Sequence, residues 1–267
     1  YGWDADSYCH RIYSGREKTN EYPVTITTWQ SVYKLERSFF EDYNVIIGDE
    51  AHLFKSKSLI EIMSKLHNAK YRFGFTGTLD GTQTHKWVLE GLFGPSYKVT
   101  RTDELMRQGH LSQLDIQCII LKHPPQKFEK YEDEIQYLIT HEQRNKFITN
   151  LALDLTGNTL VLFARVETHG AVLFDKINNN KSTDRKVFFI HGGVDTEERE
   201  LVREITERED NAIIVASYGT FSTGINIKNL HNVIFASPSK SRIRNLQSIG
   251  RVLRKGNNKT KATLYDI

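Results

Sequence analysis

The sequence is poor in the features that define several broad classes of protein. It holds two cysteines in 267 residues, Cys9 and Cys118, far apart and in no metal-like spacing. Neither a disulfide framework nor a zinc site is therefore expected, and a reducing, intracellular compartment fits best. Proline numbers 5 and glycine 17, which excludes collagen-like and low-complexity chains. The apolar runs are short, Ala212-Ile213-Ile214-Val215-Ala216 being among the longest. They fall well below the roughly 18 residues that a membrane-crossing helix needs, so a soluble protein without a membrane partner is expected. There is no internal repeat. The chain opens at Tyr1 without methionine or a signal-like segment, which reads as a fragment of a longer protein. Neither sign of charge dominates. Lys plus Arg is 36 against 33 Asp plus Glu, a net charge of +3, which permits a nucleic-acid partner without demanding one.

What remains is ordinary globular composition, with 39% hydrophobic and 26% charged residues and a mean hydropathy of -0.49. At about 150 residues per domain, this length suggests roughly two domains. Short apolar runs at Val45 to Ile47, Ile116 to Leu121, Leu160 to Phe163, Val187 to Ile190, Ala212 to Ala216 and Val233 to Ala236 read as buried strands. Between them lie segments of helical spacing, such as Leu59, Ile60, Met63 and Leu66, or Leu201, Val202 and Ile205. The second of these has an entry signal, since Asp195 precedes Glu198 as in a capping box. Strands alternating with amphipathic helices predict an α/β fold whose parallel sheets are covered on both faces. The pattern weakens from about Leu105 to Asn150, with a break at Lys122-His123-Pro124-Pro125 and a helix-favouring stretch from Lys127 to Asp154. The expected domain junction lies between Gln108 and Gly109, giving domains 1–108 and 109–267.

The sharpest local signal is Val45-Ile46-Ile47-Gly48-Asp49-Glu50-Ala51-His52, a buried strand ending in two adjacent carboxylates. Ligands of an open parallel sheet bind beyond the carboxyl ends of its strands. There one carboxylate can hold Mg²⁺, directly or through water, while the next orients and deprotonates an attacking water. Asp49 is the candidate metal holder and Glu50 the candidate general base. The plainer reading is a solvated strand end in which Asp49 caps the next turn.

Asp-Glu-Ala-His in this setting resembles the second motif of superfamily 2 helicases, and further stretches resemble other motifs of that family in order. Thr76-Gly77-Thr78 is similar to the third, which couples nucleotide to nucleic acid, and is equally a plausible turn. Thr25-Ile26-Thr27-Thr28 resembles the segment whose threonine touches the nucleic-acid backbone, although an alternating strand has the same letters. Leu160 to Arg165 resembles the fourth motif, and Ile190-His191-Gly192-Gly193 another family element. Ala216 to Ile227 resembles the fifth, with Asn226 where many members carry aspartate, which keeps an acceptor and loses a charge. Gln247-Ser248-Ile249-Gly250-Arg251-Val252-Leu253-Arg254 fits Gln-x-x-Gly-Arg-x-x-Arg, the sixth. Three apart, Arg251 and Arg254 would share one face of a helix. Guanidinium pairs of this kind stabilise charge gathering on a γ-phosphate. The alternative is a basic solvated helix face.

The resemblance covers nearly the whole chain and is strongest toward phage recombination and repair helicases. It implies two RecA-like domains, each a parallel sheet flanked by helices, the first truncated at its N-terminus. It also implies an ATP-dependent motor acting on branched or forked DNA without sequence preference, monomeric, and cytoplasmic in the host cell if phage-encoded. By resemblance, ATP is held by Asp49, Glu50, His52, Gly224, Asn226, Arg251 and Arg254. Glu50, Gln247, Arg251 and Arg254 form the catalytic set, and Asp49 takes Mg²⁺. Thr27, Thr28, Arg165, His191, Ser217 and Thr220 face DNA. One departure stands out. No Gly-x-x-x-x-Gly-Lys-[Ser/Thr] occurs, and no lysine directly follows a glycine, so the Walker A loop that cradles phosphates is missing. The rival readings are a nucleic-acid-binding module without ATPase activity and an RNA helicase, since backbone-contacting motifs distinguish the two sugars poorly.

Overall fold

In the computed structural model, residues 2, 4–13, 15–19, 21–79, 81–224, 226–256 and 259–267 are described, with 222–224 by backbone alone. The chain divides into two compact units, Tyr1–Lys98 and Val99–Ile267. The division falls ahead of the junction expected between Gln108 and Gly109. The helix α5 (Thr102–Arg107) therefore belongs with the second unit, where Ser112 N–H donates to the Leu253 carbonyl at 2.9 Å.

The second unit is built on a six-stranded sheet of order β5-β10-β9-β6-β8-β7. Its strands are β5 (Gln113–Cys118), β6 (Thr159–Phe163), β7 (Val187–Ile190), β8 (Ile213–Ser217), β9 (Asn232–Phe235) and β10 (Lys261–Asp266), and every pairing is parallel. Parallel strands are buried on both faces, and the apolar runs are divided accordingly. Leu160, Leu162, Ile214, Ala216 and Val233 pack on one side with Val202, Tyr218, Phe221 and Val252. These come from α9 (Thr196–Arg208), α10 (Tyr218–Gly224) and α11 (Arg242–Val252). Val161, Phe163, Ile213, Val215 and Ile234 pack on the other with Ile148, Ala152, Leu173 and Ile177, from α7 (Glu142–Asp154) and α8 (Ala171–Asn180). The helix-favouring stretch from Lys127 is two helices, α6 (Tyr131–Thr140) and α7, which meet at His141. The imidazole of His141 caps α7 by accepting from Arg144 N–H. Asp195 caps α9 as expected, accepting from Glu198 N–H at 2.8 Å.

The first unit carries two short parallel pairs, β1 (Cys9–Ile12) with β2 (Val24–Thr27) and β3 (Val45–Gly48) with β4 (Tyr71–Gly74). It also has short helices α1 (Ala5–Tyr8) and α2 (Trp29–Val32), and longer ones at α3 (Lys57–Lys65) and α4 (Gln83–Phe93). One apolar core forms from Phe54, Leu59, Ile62, Met63 and Leu89, with Ile46 and Phe93 against it. Gly48 and Gly74 are register partners, and a Cβ on either would come within 3.0 Å of the Phe93 or Phe54 ring or of Ala51. Glycine at both positions lets the aromatic pair close over the strand ends. The expectation of sheets covered on both faces holds for the second unit and fails here. Among the described residues nothing covers Val45, Ile47, Tyr71 and Phe73, which alternate along β3 and β4 and are 48 to 68% exposed.

Asn158, just ahead of β6, binds the second unit together. Its Nδ2 donates to the carbonyls of Thr206 (3.0 Å), Glu209 (2.6 Å) and Asn229 (2.9 Å), and its Oδ1 accepts from Ala212 N–H (2.7 Å). The residue is fully buried. Asn158→Ala would strand several of these groups away from water, so it should destabilise the chain by about 2 to 4 kcal/mol in urea unfolding. A loss below about 0.5 kcal/mol would show that the network is dispensable.

Candidate nucleotide and nucleic-acid sites

In the first unit, β3 ends at Gly48 and the chain turns sharply through Asp49 and Glu50. Glu50 has φ of 48°, the left-handed conformation. It is the one non-glycine residue with positive φ among those described. The turn is tied to the end of β4 by Ala51 N–H donating to the Phe75 carbonyl and Phe75 N–H donating to the Gly48 carbonyl, both at 2.8 Å. Asp49 Oδ1 accepts from Glu50 N–H at 2.8 Å. His52 is buried, with Nδ1 3.2 Å from Glu50 Oε2 and 3.0 Å from Thr76 Oγ1. Thr76 donates its own hydroxyl proton to the Thr78 carbonyl at 2.9 Å, so its oxygen accepts from His52 Nδ1–H. The His52 carbonyl in turn accepts from His85 Nε2 at 2.9 Å. The acidic turn and Thr76-Gly77-Thr78 are thus one hydrogen-bonded assembly.

No group of three or more His, Cys, Asp or Glu that could hold a metal ion occurs among the described residues. Asp49 supplies a single carboxylate, which fits Mg²⁺ only as the ion is bound in nucleotide sites, by one or two carboxylates with phosphates and water completing the shell. Thr27 and Thr28 are exposed at the end of β2. Thr27 Oγ1 donates to the Ile12 carbonyl at 3.1 Å, and the Thr28 hydroxyl pairs with Ser31 at 3.0 Å.

In the second unit, Arg165, His191 and Ser217 stand at the carboxyl ends of β6, β7 and β8, which lie side by side in the sheet. Parallel pairing brings these three expected DNA-facing residues to one edge. His191 Nδ1 accepts from Gly193 N–H at 3.1 Å. Ser217 Oγ donates to Thr220 Oγ1 at 2.8 Å. Thr220 is 7% exposed, so of this pair Ser217 is the more open to a ligand. The Arg165 guanidinium is engaged by α6, meeting Gln136 Oε1 at 3.2 Å and forming a close ion pair with Glu132. Neither partner had a motif to reveal it, although both sit on a strongly acidic helix one turn apart.

Gly224 closes α10 with its backbone, and residue 225 lies outside the described residues. Asn226 Oδ1 is buried without a hydrogen-bond partner among the described residues. Gln247 and Arg251 are half-buried on α11. Arg254 departs from the expectation that it shares a helix face with Arg251. The helix ends at Val252, Leu253 caps it, and Arg254 lies beyond, exposed and bridged antiparallel to Leu111. Lys259, which sequence reading missed, caps this end of the helix: its buried ammonium donates to the Arg254 carbonyl at 3.1 Å and closely to the Val252 carbonyl, satisfying carbonyls that the helix leaves without an internal partner.

Similarity to known proteins shows that the chain belongs to the superfamily 2 helicases. Residues 142–256 match the helicase conserved C-terminal domain and residues 4–81 the res subunit of type III restriction enzymes. The chain is 39% identical over 269 aligned residues to the ATP-dependent DNA helicase UvsW of Enterobacteria phage T4, covering 96% of this chain and 53% of that protein. The crystal structure of T4 UvsW aligns over 98% of this chain and 53% of the other, with TM-score 0.50 and 37% identity. A protein of Acanthamoeba polyphaga mimivirus, named as an ATP-dependent RNA helicase, is 26% identical over 88% of this chain and 45% of its own length. A fragment of the HsdR subunit of a type I restriction enzyme from Vibrio vulnificus has TM-score 0.73 at 18% identity, over 97% of this chain and 49% of that one, a likeness of fold alone. The chain spans about half the length of the curated relatives it matches.

Lys259 provides a pH test. Burial pushes its ammonium down from 10.5 to about 8. Between those values the unfolded chain holds a proton that the folded chain has released, so folding gains as pH rises from about 8 to 10.5 and the gain is absent below 8. Lys259→Met should flatten the pH dependence of unfolding free energy in that window relative to the parent chain. Parallel curves for the two proteins would show that Lys259 titrates normally.

Proposed function

We propose that this chain is the larger part of an ATP-driven DNA motor that works on branched or forked DNA, and that it lacks the Walker A loop of that motor. The observation that carries the reading is the bonded assembly of the first unit, in which His52 joins Glu50 to Thr76. An acidic turn wired to Thr76-Gly77-Thr78 is what a motor needs if a change at a nucleotide is to be felt at the nucleic acid. Bound ATP with Mg²⁺ would supply the γ-phosphoryl group whose transfer to water drives the motion. In that reaction Asp49 would hold the ion, and Glu50 would orient water and take its proton. By resemblance, Arg251 and Arg254 would stabilise charge on the phosphoryl oxygens, with Gln247 and Asn226 contributing polar contacts. The buried Oδ1 of Asn226, without a hydrogen-bond partner among the described residues, supports a polar partner there. Monomeric action in a cytoplasm belongs to the same reading, as does a role in recombination and repair.

Without the P-loop lysine, residues 1–267 should turn over little ATP, whereas a longer chain carrying that loop should be a DNA-stimulated ATPase. Vigorous Mg²⁺-dependent turnover by this chain alone would overturn the assignment. In the longer protein, Glu50→Gln should nearly abolish hydrolysis while ATP still binds, because the base is lost and the shape kept. Arg254→Ala should slow turnover by roughly 10³-fold or more if it meets the γ-phosphate in the transition state.

For DNA, Arg165, His191 and Ser217 offer contacts suited to phosphates, which carry no sequence information. Binding should be sequence-independent and weaken with salt. Arg165→Ala should weaken unrelated sequences equally and lower the salt slope by about one. Glu132→Gln, which removes the competing carboxylate, should tighten binding. Gel-shift competition checks this, with forked or four-way DNA expected to outcompete a blunt duplex of equal length. Preference for RNA, the activity in the mimivirus relative's name, would replace the DNA reading.

A further inference from the structure

A chain of buried hydrogen bonds lies at the carboxyl end of the second unit's sheet and belongs to none of the helicase-like motifs. Its members are Asn145, His169 and Ser237, each no more than 2% exposed. Asn145 Nδ2 donates to the Ile139 carbonyl at 2.7 Å, which fixes the orientation of the amide. Its Oδ1 is therefore an acceptor, and the nitrogen 3.2 Å away, His169 Nε2, must carry the ring proton. His169 Nδ1 is then bare and accepts the Ser237 hydroxyl proton at 2.7 Å. The Ser237 oxygen, having donated, accepts from Ala164 N–H at 3.0 Å. Every proton in the chain has one direction. Burial, and secondarily the charge of Arg144, holds the imidazole neutral down to about 3, so the arrangement persists at any ordinary pH.

The two ends of this chain are informative. Ile139 is in α6, the helix that bears Glu132 and Gln136, and those two side chains hold the Arg165 guanidinium. Ala164 is the residue before Arg165. The segment that follows is a single π-helical stretch, Val166–Gly170, seated so tightly that a Cβ on Gly170 would lie 2.5 Å from the Phe163 ring. One directed relay thus fixes both the backbone that carries Arg165 and the helix that grips its side chain. A branch reaches the neighbouring strand end, because Tyr218, next to Ser217, donates its hydroxyl to the Ser237 carbonyl at 2.9 Å.

We infer that Asn145, His169 and Ser237 are positioning residues that aim Arg165 at the nucleic-acid backbone and keep it in step with Ser217. The inference rests on the proposed role of Arg165. A network serving stability alone would differ in coupling, since it lowers the melting temperature without touching the electrostatics of binding. A positioning relay acts through Arg165, so its loss and the loss of Arg165 must not add.

The test measures binding of fluorescent forked DNA by the full chain across salt concentrations, for Ser237→Ala, His169→Phe, Arg165→Ala and each double variant, with thermal unfolding followed on all. Ser237→Ala removes one oxygen, so it remains usable if His169→Phe fails to fold. Ser237→Ala is expected to lower the salt slope by about one, as Arg165→Ala does. Added to Arg165→Ala, it should weaken binding by less than twofold more. If Ser237→Ala leaves the slope intact, or its loss adds in full to that of Arg165→Ala, the positioning inference is overturned while the role of Arg165 stands. An Arg165→Ala variant that binds like the parent would overturn that role and the inference together.

Discussion

The second unit depends on the burial of β6. All five of its residues are inaccessible, it pairs with β8 on one side and β9 on the other, and its alternate side chains enter the cores on opposite faces of the sheet. A strand held on four sides has no freedom of register. Whatever leaves its carboxyl end is placed as firmly as the core itself. Arg165 is two residues beyond that end. Because β8 is in parallel register with β6, the Phe163 and Ser217 positions are paired, and the two loops start level. Loops on such a scaffold can carry chemistry that loops alone could not hold in place.

The first unit shows the same principle half satisfied. Its β3 and β4 have a core on one face, built by α3, α4 and the Phe54 and Phe93 rings, and open apolar side chains on the other. At about 25 cal/mol per Å² of apolar surface left in water, such a face forgoes much of the stabilisation that a parallel sheet normally gains. The unit nevertheless keeps its acidic turn ordered, because the bonds that define the turn run along the strand ends, between Gly48, Ala51 and Phe75, and do not cross the open face.

What could be read in the sequence follows from what is local. Strands β3, β6, β7, β8 and β9 were legible because each is a nearly continuous apolar run. Strand β5 was misplaced because its own residues, Gln-Leu-Asp-Ile-Gln-Cys, are mixed in polarity. It alternates, and the apolar residues Ile119 to Leu121 that follow it lie outside the strand. Strands β1, β4 and β10 are mixed in polarity and show no continuous apolar run. The acids and arginines of the candidate nucleotide site were legible as motifs. The relay behind Arg165 was not, since His169 and Ser237 are 68 positions apart and only the sheet order brings them together. Arg254 was misread for a related reason. Helical spacing predicts which residues share a face only within the helix, and α11 ends at Val252, before Arg254.

Glu50 shows how function can be argued from such a conflict. A left-handed backbone costs a non-glycine residue about 1 to 2 kcal/mol, and asparagine or glycine would adopt it more cheaply. In a turn selected for stability alone, position 50 would carry one of those. The glutamate's contact with His52 at 3.2 Å involves a half-exposed carboxylate, and an exposed ion pair seldom returns more than about 1 kcal/mol. The backbone cost is therefore not recovered by that pairing. Strained backbone of this kind clusters where chemistry needs a particular group in a particular place. Here that group is a carboxylate at a strand end, one residue past another carboxylate, which supports the proposed division of labour between Asp49 as ion holder and Glu50 as base.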